Sequence, residues 1–497
     1  MEQDNNAKVL SNFGWRFAER VAAQLITLIV SIVLARILSV EEFGIVSLVT
    51  IFLTLAQVFV DSGMANALIQ KKETDELDFS SVFYFNLVTG VIIYAILFFV
   101  SPLIAKFYKD PALTPMMRVL FVTVIVSGVK NIQQAYVSRK LIFKKFFFST
   151  LIGTIISAFI GIGMAMMHFG AWAVIAQQLS NNIIDTTILW FTVRWRPQKK
   201  FSMERLKKLF SFGWKLLVSA LLNTLYDNLR DLIIGRKYTK SDLSFYNKGK
   251  QIPQIVVYNI NTSMNSVLLP VMSKEQNNKE AVKNMMRRTI KVSSYVLLPC
   301  MLGLIAVAEP LTSFIFTDKW LPMVPYMRIF CFCYALYPIH TANLNAINAI
   351  GRSDIFLKLE IAKKAVGLAG LLISIRFGVL AMAYAMVVTD IICTIINAYP
   401  NKGLLDYGYM EQLKDILPNV FVSVTMMGVV LALNYLPITG SLIKLLIMLP
   451  VGAGVYIILS KLFKLDSFDY LLQVLNRLLR RKSEPYISGA TERDKNE

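Results

Sequence analysis

The chain carries, at Phe13–Arg36, the stretch FGWRFAERVAAQLITLIVSIVLAR, which opens with Phe-Gly-Trp and runs through apolar residues to an arginine. About 200 residues later, the stretch FGWKLLVSALLNTLYDNLRDLIIGR at Phe212–Arg236 repeats this design and is one residue longer. Internal duplication of a helical bundle is a recurrent architecture of membrane transporters. The repeat therefore favours a carrier, with an enzyme as the second hypothesis.

The composition on either side of these stretches indicates a membrane protein. Hydrophobic residues make up 55% of the 497 residues and charged residues 17%, whereas soluble domains carry about 25% charged residues. Apolar stretches of about 20 residues recur throughout, which is the length that a helix needs to cross a bilayer. Because lipid offers no hydrogen-bond partners, such stretches must be helical. We therefore expect an all-α polytopic membrane protein.

Hydropathy and chain breakers together predict about fourteen transmembrane spans. They lie at 13–36, 43–69, 79–105, 115–138, 147–168, 171–193, 209–235, 244–272, 289–316, 323–350, 355–376, 378–399, 415–436 and 441–463. We expect two six-helix lobes, a basic linker, two additional helices and a tail, with boundaries at 1–194, 195–208, 209–400, 401–465 and 466–497. Since six spans return the chain to its starting face, the two lobes are predicted to be parallel repeats.

Loop charges predict the orientation. The loops that follow even-numbered spans hold roughly three times as many lysines and arginines as the others, so both termini are predicted to be cytoplasmic. This distribution also accounts for the net charge of +20, and no nucleic-acid recognition module accompanies the charge. The leucines of 466–482 recur at helical spacing before Arg480-Arg481-Lys482, which predicts an amphipathic helix on anionic lipid, followed by a disordered tail.

A cluster of polar residues in the seventh span is the first candidate site. Asp227 follows Tyr226, and Arg230 and Asp231 lie three and four residues after Asp227. The three charged residues therefore share one helical face. Charges at membrane depth are costly and usually face water or a partner. The cluster is either an internally neutralised ion pair or a set of cavity-lining side chains that meet the substrate.

The eighth span is also unusually polar. We favour Lys248 and Gln251 as residues on one face, and Pro253 predicts a kink that serves as a hinge. Further candidates for the substrate cavity elsewhere in the chain are Arg20, Lys130, Asn259 and Arg328, and the candidates for ion coupling are Asp61, Asp185 and Asp390. The buried cations suggest a path for an anionic group such as a pyrophosphate.

Three turns carry a resemblance to a known family. They are the Leu34–Gly44 turn between the first two spans, the Asp61-Ser62-Gly63 end of the second span, and the Ala346–Arg352 end of the tenth. Together with the Phe-Gly-Trp openings, they resemble the polysaccharide-transport (Wzx-type) flippases of the MOP exporter superfamily. The resemblance extends over essentially the whole chain.

The resemblance implies a MATE-like fold, in which two six-helix lobes form a V-shaped central cavity. It implies translocation of undecaprenyl-pyrophosphate-linked oligosaccharides by alternating access, from the cytoplasmic to the outer leaflet of a bacterial inner membrane. Such transport serves the assembly of exopolysaccharide, O-antigen or capsule. Related lipid II flippases carry arginines in their first, second and eighth helices. This chain offers Arg16 and Arg20 in the first span and Lys248 in the eighth, but no cation in the second.

Two other functions remain open. One is a multidrug or cation antiporter of the same superfamily, although cationic drugs would favour an acidic cavity. The other is a membrane enzyme that modifies glycans, although the chain has no D-x-D pair and only two histidines.

No P-loop is present, so the expected energy source is a proton or sodium gradient. No catalytic residue, cofactor or metal is expected; the expected partners are the lipid-linked oligosaccharide, membrane lipids and proteins of polysaccharide polymerisation and assembly.

Overall fold

The computed structural model describes residues 2–61, 64–71, 74–140, 142–437 and 440–483. Side chains are described for all of these residues except 2–14, 16–18, 20, 66, 70, 212, 263, 266–267, 474–475 and 477–483. Most of the polar tail predicted after residue 482 therefore lies outside the described residues.

Eighteen α-helices and two short 3₁₀ helices account for the regular structure of the described ranges, which contain no β-strand. The α-helices are α1 Glu2–Ile37, α2 Val40–Asp61, α3 Met64–Gln70, α4 Glu76–Phe107, α5 Leu113–Leu120, α6 Val122–Lys140, α7 Lys144–Met166, α8 Ala171–Thr192, α9 Met203–Lys237, α10 Lys240–Lys274, α11 Lys279–Phe316, α12 Val324–Ala335, α13 Tyr337–Ala349, α14 Ser353–Ser374, α15 Val379–Leu405, α16 Tyr409–Ala432, α17 Ser441–Leu462 and α18 Asp466–Ser483. The 3₁₀ helices are Asp318–Met323 and Leu433–Tyr435.

Every predicted span coincides with one helix or with two consecutive helices. The second span comprises α2 and α3, the fourth comprises α5 and α6, and the tenth comprises α12 and α13. The break in the tenth span falls just before Pro338, whose ring nitrogen cannot donate a helical hydrogen bond. By contrast, α10 runs through Pro253 as one helix, so the hinge predicted there stays a prediction.

The all-helical prediction is confirmed within the described ranges, but the number of spans is not. Eight described helices are long and apolar enough to cross a membrane, or nine if α9 counts as one span. The total of fourteen stays a prediction. The amphipathic helix expected at 466–482 is present as α18.

By its internal contacts the chain divides into two compact units. Unit 1 consists of Met1–Lys248 and Ile315–Met323, and unit 2 consists of Gly249–Phe314 and Val324–Glu497. The first two turns of α10 therefore belong to unit 1. The lobe boundaries predicted from the sequence at 194 and 209 stay a prediction.

In unit 1, the turns that follow odd-numbered spans meet at one end, which we call the hairpin end. It contains the α1–α2, α4–α5, α7–α8 and α9–α10 turns and the segment Ile315–Met323. Lys240 pairs with Asp110 at 2.5 Å, and a Cβ added at Gly170 would lie 2.3 Å from Glu42 Oε1. These turns therefore lie at one end of unit 1.

The opposite end of unit 1, the linker end, holds the basic segment predicted to join the lobes. Residues 203–208 of this segment form the first turns of α9 rather than a linker. The remainder is held against α4, because the Gln198 amide donates to Ser80 Oγ at 2.9 Å and the Trp195 indole N–H donates to Glu76 at 2.5 Å. Trp195 is buried in an apolar cluster at this end. The segment is therefore a docked strap rather than a loose connection.

An ion pair closes the strap where α9 begins. Arg205 bonds the carboxylate of Asp75, the residue that caps the N-terminus of α4. The neighbouring guanidinium lowers the pKa of the Asp75 carboxyl below its ordinary value, because it stabilises the charged form. Both side chains are partly exposed, so water screens the pair and its contribution to stability is small.

Unit 2 is held together by buried polar side chains as well as by apolar packing. The Asn343 side chain of α13 bonds Gln412 of α16 at 2.7 Å and Asn401 of α15 at 2.7 Å. Arg287 of α11 binds Asp415 of α16 through two hydrogen bonds of 2.7 Å. These bonds join α16 to α13 through Gln412 and to α11 through Asp415.

Candidate functional site

The candidate site lies at the hairpin end of unit 1, where two turns repeat one another at an offset of 200 residues. The Ser39 amide donates to Glu42 Oε2 at 2.7 Å, and the Glu42 amide donates to Ser39 Oγ at 3.3 Å. In the second copy, the Thr239 amide donates to Asp242 Oδ2 at 3.1 Å, and the Asp242 amide donates to Thr239 Oγ1 at 3.0 Å. Each turn is thus a capping box that starts a helix.

The helices that leave these turns, α2 and α10, contact each other in a reciprocal way. The Ser244 hydroxyl donates to the carbonyl oxygen of Val40 at 2.6 Å. At the equivalent position in the first copy, a Cβ added to Gly44 would lie 2.1 Å from the carbonyl oxygen of Lys240. A small residue of each helix therefore rests on the first turn of the other helix. The duplication in the sequence appears here as a local two-fold relation.

This close crossing buries Lys248, one turn further along α10. The residue is only 7% exposed, and its Nζ donates to Ser31 Oγ of α1 at 2.6 Å. The ammonium also lies 4.6 Å from the ring centre of Phe43 and 5.7 Å from that of Phe316. Aromatic faces attract cations through the ring quadrupole. The burial of this lysine is thus offset in part by a hydroxyl and two aromatic rings.

The 200-residue register shows that the polar chemistry differs between the copies. Leu48 occupies the position equivalent to Lys248, and Asp231 occupies the position equivalent to Ser31. The Leu48 side chain packs on the backbone of α9, since a Cβ added at Gly235 would lie 2.4 Å from Leu48 Cδ2. Equivalent positions therefore make an apolar contact between α2 and α9 and a lysine–hydroxyl contact between α10 and α1.

The cluster predicted in the seventh span is only partly buried. Asp231 is buried, Tyr226 and Arg230 are half-buried, and Asp227 is exposed. The Nε atom of Arg230 is buried and has no hydrogen-bond partner among the described residues. The cluster lies in α9, which packs against α2, α3 and α4. Its role in the substrate path stays a prediction.

Two residues that the sequence suggested for separate roles are joined in the structure. Lys130 of α6 pairs with Asp185 of α8 at 2.6 Å, so the cation proposed for the substrate and the acid proposed for ion coupling neutralise each other. Asp61 of α2 accepts a hydrogen bond of 2.5 Å from Asn131 of α6. The two contacts are adjacent on α6 and connect α2 and α8 through it.

The remaining candidates lie in unit 2 or outside the described side chains. Arg328 pairs with Glu309 at 3.0 Å, and Asn259 donates to the carbonyl oxygen of Ile255 in its own helix at 2.9 Å. Gln251 and Asp390 are half-buried. The side chains of Arg16 and Arg20 lie outside the described residues.

Part of the polarity of the eighth span is structural. Asn265 of α10 accepts a hydrogen bond of 2.6 Å from Asn345 of α13, and Asn261 accepts one from Thr341 of α13. These bonds tie α10 to α13 inside unit 2. The sequence pattern selected Lys248 on this span but not the three residues around its ammonium, because they lie on other parts of the chain.

The fold and this site define the class of the protein: a duplicated, multi-pass helical membrane protein. Over 91% of this chain and 98% of the other, the structure is similar to the lipid II flippase MurJ in an inward closed conformation, with a TM-score of 0.72 and 15% identity. It is also similar to an inward-facing multidrug resistance MATE family transporter, with a TM-score of 0.63 and 13% identity over 77% of this chain and 94% of the other. These likenesses confirm the MATE-like fold.

The chain belongs to the polysaccharide biosynthesis protein family, whose model matches residues 33–325. It is 24% identical to the teichuronic acid biosynthesis protein TuaB of Bacillus subtilis (strain 168), over 91% of this chain and 95% of the relative. It is also 24% identical to the lipopolysaccharide biosynthesis protein WzxC of Escherichia coli (strain K12), over 85% of this chain and 88% of the relative. The succinoglycan biosynthesis transport protein ExoT of Rhizobium meliloti (strain 1021) is 21% identical over 98% of this chain and 99% of its own length.

Proposed function

We propose that this protein is a flippase that moves lipid-linked oligosaccharide repeat units across the cytoplasmic membrane of a bacterium. The observation that carries the proposal is the combination of family and fold: a polysaccharide biosynthesis family member has, along nearly its whole length, the fold of a lipid II flippase. Lipid II flippases and this family's transport proteins share one problem, which is to pass a large polar head group through a hydrocarbon layer.

Alternating access would solve this problem. The sugar and pyrophosphate would be shielded in a cavity of the protein while the undecaprenyl tail stays in the bilayer. The lobes would be those expected from the sequence, six helices each, with two additional helices and a tail. The buried lysine at position 248 supports this proposal because an ammonium attracts phosphate as a compact point charge.

Energy for transport would come from a proton or sodium gradient. Asp61, Asp185 and Asp390 remain the candidates for coupling. The ion pair between Asp185 and Lys130 supports a coupling role, because paired charges inside membrane helices commonly mark ion or proton pathways. We infer that the protein performs no chemical step of its own and acts with the polymerisation and assembly proteins of the same polysaccharide.

The orientation expected from loop charge places both termini in the cytoplasm. The segregation of loops between the hairpin end and the linker end of unit 1 supports this orientation. Arg139, Arg205 and the strap residues lie at the linker end, which would be the cytoplasmic end. The hairpin end, with Lys248 buried beneath it, would face the outside.

Depletion of the protein tests the proposal. We expect lipid-linked oligosaccharide to accumulate on the cytoplasmic face and surface polysaccharide to fall, because synthesis continues while export stops. Lipid extraction with glycan analysis measures the intermediate, and a strain complemented with the wild-type chain is the control. A rise in drug sensitivity without accumulation of the intermediate would favour the antiporter. A loss of glycan modification with normal export would favour the enzyme.

A further inference from the structure

The segment Ile315–Met323 belongs to a different unit from the chain on either side of it. Residues up to Phe314 and from Val324 onward are part of unit 2, whereas these nine residues pack within unit 1. The segment comprises the last two residues of α11, Thr317 and the 3₁₀ helix Asp318–Met323. The segment therefore contributes contacts to unit 1 in addition to joining α11 to α12.

The segment first caps the C-terminal end of α1. Lys319 Nζ donates to the carbonyl oxygens of Arg36 at 2.8 Å and Leu38 at 2.7 Å. The indole N–H of Trp320 donates to the carbonyl oxygen of Ala35 at 2.9 Å. The last carbonyl groups of a helix have no partner in the helix, and a positive charge is favourable there. The segment thus supplies both hydrogen bonds and charge.

α1 also reaches back to the segment. Arg36 Nε donates to the carbonyl oxygen of Ile315 at 2.8 Å. Together with the contacts of Lys319 and Trp320, this gives four backbone-directed hydrogen bonds between the two pieces of chain. Three of these bonds are accepted by backbone carbonyl oxygens of residues 35–38, so only the bond donated by Arg36 depends on a side chain of α1.

Trp320 also supports the aromatic surroundings of Lys248. The indole is fully buried, and its ring centre lies 5.5 Å from that of Phe43 and 6.2 Å from that of Phe316. These are the two rings against which the Lys248 ammonium lies. The ring centre of Trp320 also lies 6.0 Å from that of Phe245. Phe245 follows Ser244 directly on α10. One side chain therefore touches both aromatic neighbours of the lysine.

We propose that Ile315–Met323 is a latch that closes the hairpin end of unit 1 and positions Lys248 against Ser31. While Trp320 is seated, the ammonium is held among Phe43, Phe316 and the Ser31 hydroxyl and is closed to solvent at this end. Release of the segment frees the end of α1 and separates the two rings, so Lys248 becomes available to an anionic group arriving at or leaving that end. Lys319 and Trp320 are thus positioning residues that act through Lys248.

This inference rests on the proposed function only for the identity of the anionic group. The latch itself is tested without substrate by the reactivity of a cysteine in place of Ser31. The variant Ser31→Cys is purified in detergent and treated with a water-soluble maleimide. The parent chain, with its native Cys300, Cys331, Cys333 and Cys393, gives the background. We expect Cys at position 31 to react slowly while the latch is closed.

Adding Trp320→Ala or Lys319→Ala to Ser31→Cys is expected to raise the labelling rate about tenfold, the change that loss of one or two hydrogen bonds to a helix end produces in an opening equilibrium. Trp320→Phe keeps an aromatic ring but loses the bond to Ala35, so it should give a smaller rise. Lys106→Ala, at an exposed lysine near the same end, is the matched control and should leave the rate unchanged.

The variants also separate a latch from general packing. If Trp320→Ala fails to elute as a folded protein in size-exclusion chromatography, Lys319→Ala and Trp320→Phe carry the test, since both leave the aromatic packing in place. Equal labelling rates in Ser31→Cys with and without Lys319→Ala and Trp320→Phe would overturn the latch. Labelling of Ser31→Cys alone at the rate of denatured protein would overturn it as well.

The outcome can be read independently of the flippase hypothesis. A labelling rate that depends on Lys319 and Trp320 supports the latch even if depletion produces no lipid-linked oligosaccharide. In that case the latch would stand, and the anionic group that meets Lys248 would be one other than a lipid-linked pyrophosphate. Accumulation of the intermediate on depletion, with labelling rates that do not respond to either residue, would leave the flippase in place and remove the latch.

Discussion

The α1–α2 turn and the α9–α10 turn have the same backbone design but different buried chemistry. Both start a helix with a capping box, Ser39 with Glu42 and Thr239 with Asp242. Nine residues after the capping Ser or Thr, the first copy presents Leu48 and the second presents Lys248. Duplication therefore preserved the residues that shape the chain, while the residues that face the interior diverged. The turns are thus alike in the two copies, whereas the buried position that follows them differs in polarity.

The largest effect is expected when the second copy is made like the first. Lys248→Leu removes a charged donor, and the loss of a hydrogen bond to a charged group is worth about 1.5–3 kcal/mol, or roughly a tenfold to hundredfold change. We expect polysaccharide export to fall by about that factor. The protein level should stay normal, because a leucine fills much of the space of the lysine. Export is measured in the depleted strain complemented with each variant.

Lys250→Leu is the matched control, since this lysine lies two residues away on the same helix and is half-buried. We expect it to retain most of the export. Normal export in Lys248→Leu, or equal losses in the two variants, would remove Lys248 from the substrate path.

The next largest effect concerns the close crossing of α2 and α10. Gly44→Ala places a methyl group where a Cβ lies 2.1 Å from a backbone oxygen, and over-packing costs up to about 3 kcal/mol. Ser244→Ala, its counterpart, removes one hydrogen bond worth about 1 kcal/mol. Thermal denaturation in detergent should therefore show a much larger loss for Gly44→Ala.

Gly163→Ala provides the control for the crossing, because a Cβ at that glycine of α7 meets nothing within 4 Å. Its melting temperature should stay close to that of the wild type. If Gly44→Ala were as stable as Gly163→Ala, the two helices would not be in contact at this point.

The Phe-Gly-Trp tripeptides themselves give a smaller contrast. The ring centre of Trp15 lies 5.2 Å from that of Phe147 and 5.5 Å from the Lys144 ammonium. By contrast, Trp214 is 45% exposed. Aromatic pairs are worth about 0.5–1.5 kcal/mol beyond burial. We expect Trp15→Ala to lower the melting temperature more than Trp214→Ala. A larger effect at Trp214 would show that the second tripeptide has a partner outside this arrangement.

The smallest effect is expected where the copies agree. Ser39→Ala and Thr239→Ala each remove an N-cap worth about 1 kcal/mol, and the two losses should be similar. Thr54→Ala, whose hydroxyl bonds only the preceding turn of its own helix at Thr50, should cost less. Strongly unequal losses for the two caps would mean that only one turn holds the hairpin end.

Much of this arrangement could be predicted because it is local. Helix length, apolar content and breakers are written in consecutive residues, so the all-helical class and α18 could be predicted. The capping boxes follow from a Ser or Thr three residues before an acid. The partners of Lys130, Lys248 and Trp320 could not be predicted, since they lie on other helices and depend on how those helices cross. The docked strap was missed for the same reason, because Trp195 is anchored by α4.

The sequence by itself therefore determined the class of protein: a duplicated, all-helical membrane chain whose loops alternate between two ends. Hydrocarbon imposes that result, because it leaves an isolated segment no stable form except the helix. Only the tertiary structure decided which buried charges meet. The pairing of Lys130 with Asp185, and the position of Lys248 among Ser31, Phe43 and Phe316, depend on lateral packing. That packing is set by complementary surfaces on helices distant in sequence, such as Gly44 against the first turn of α10.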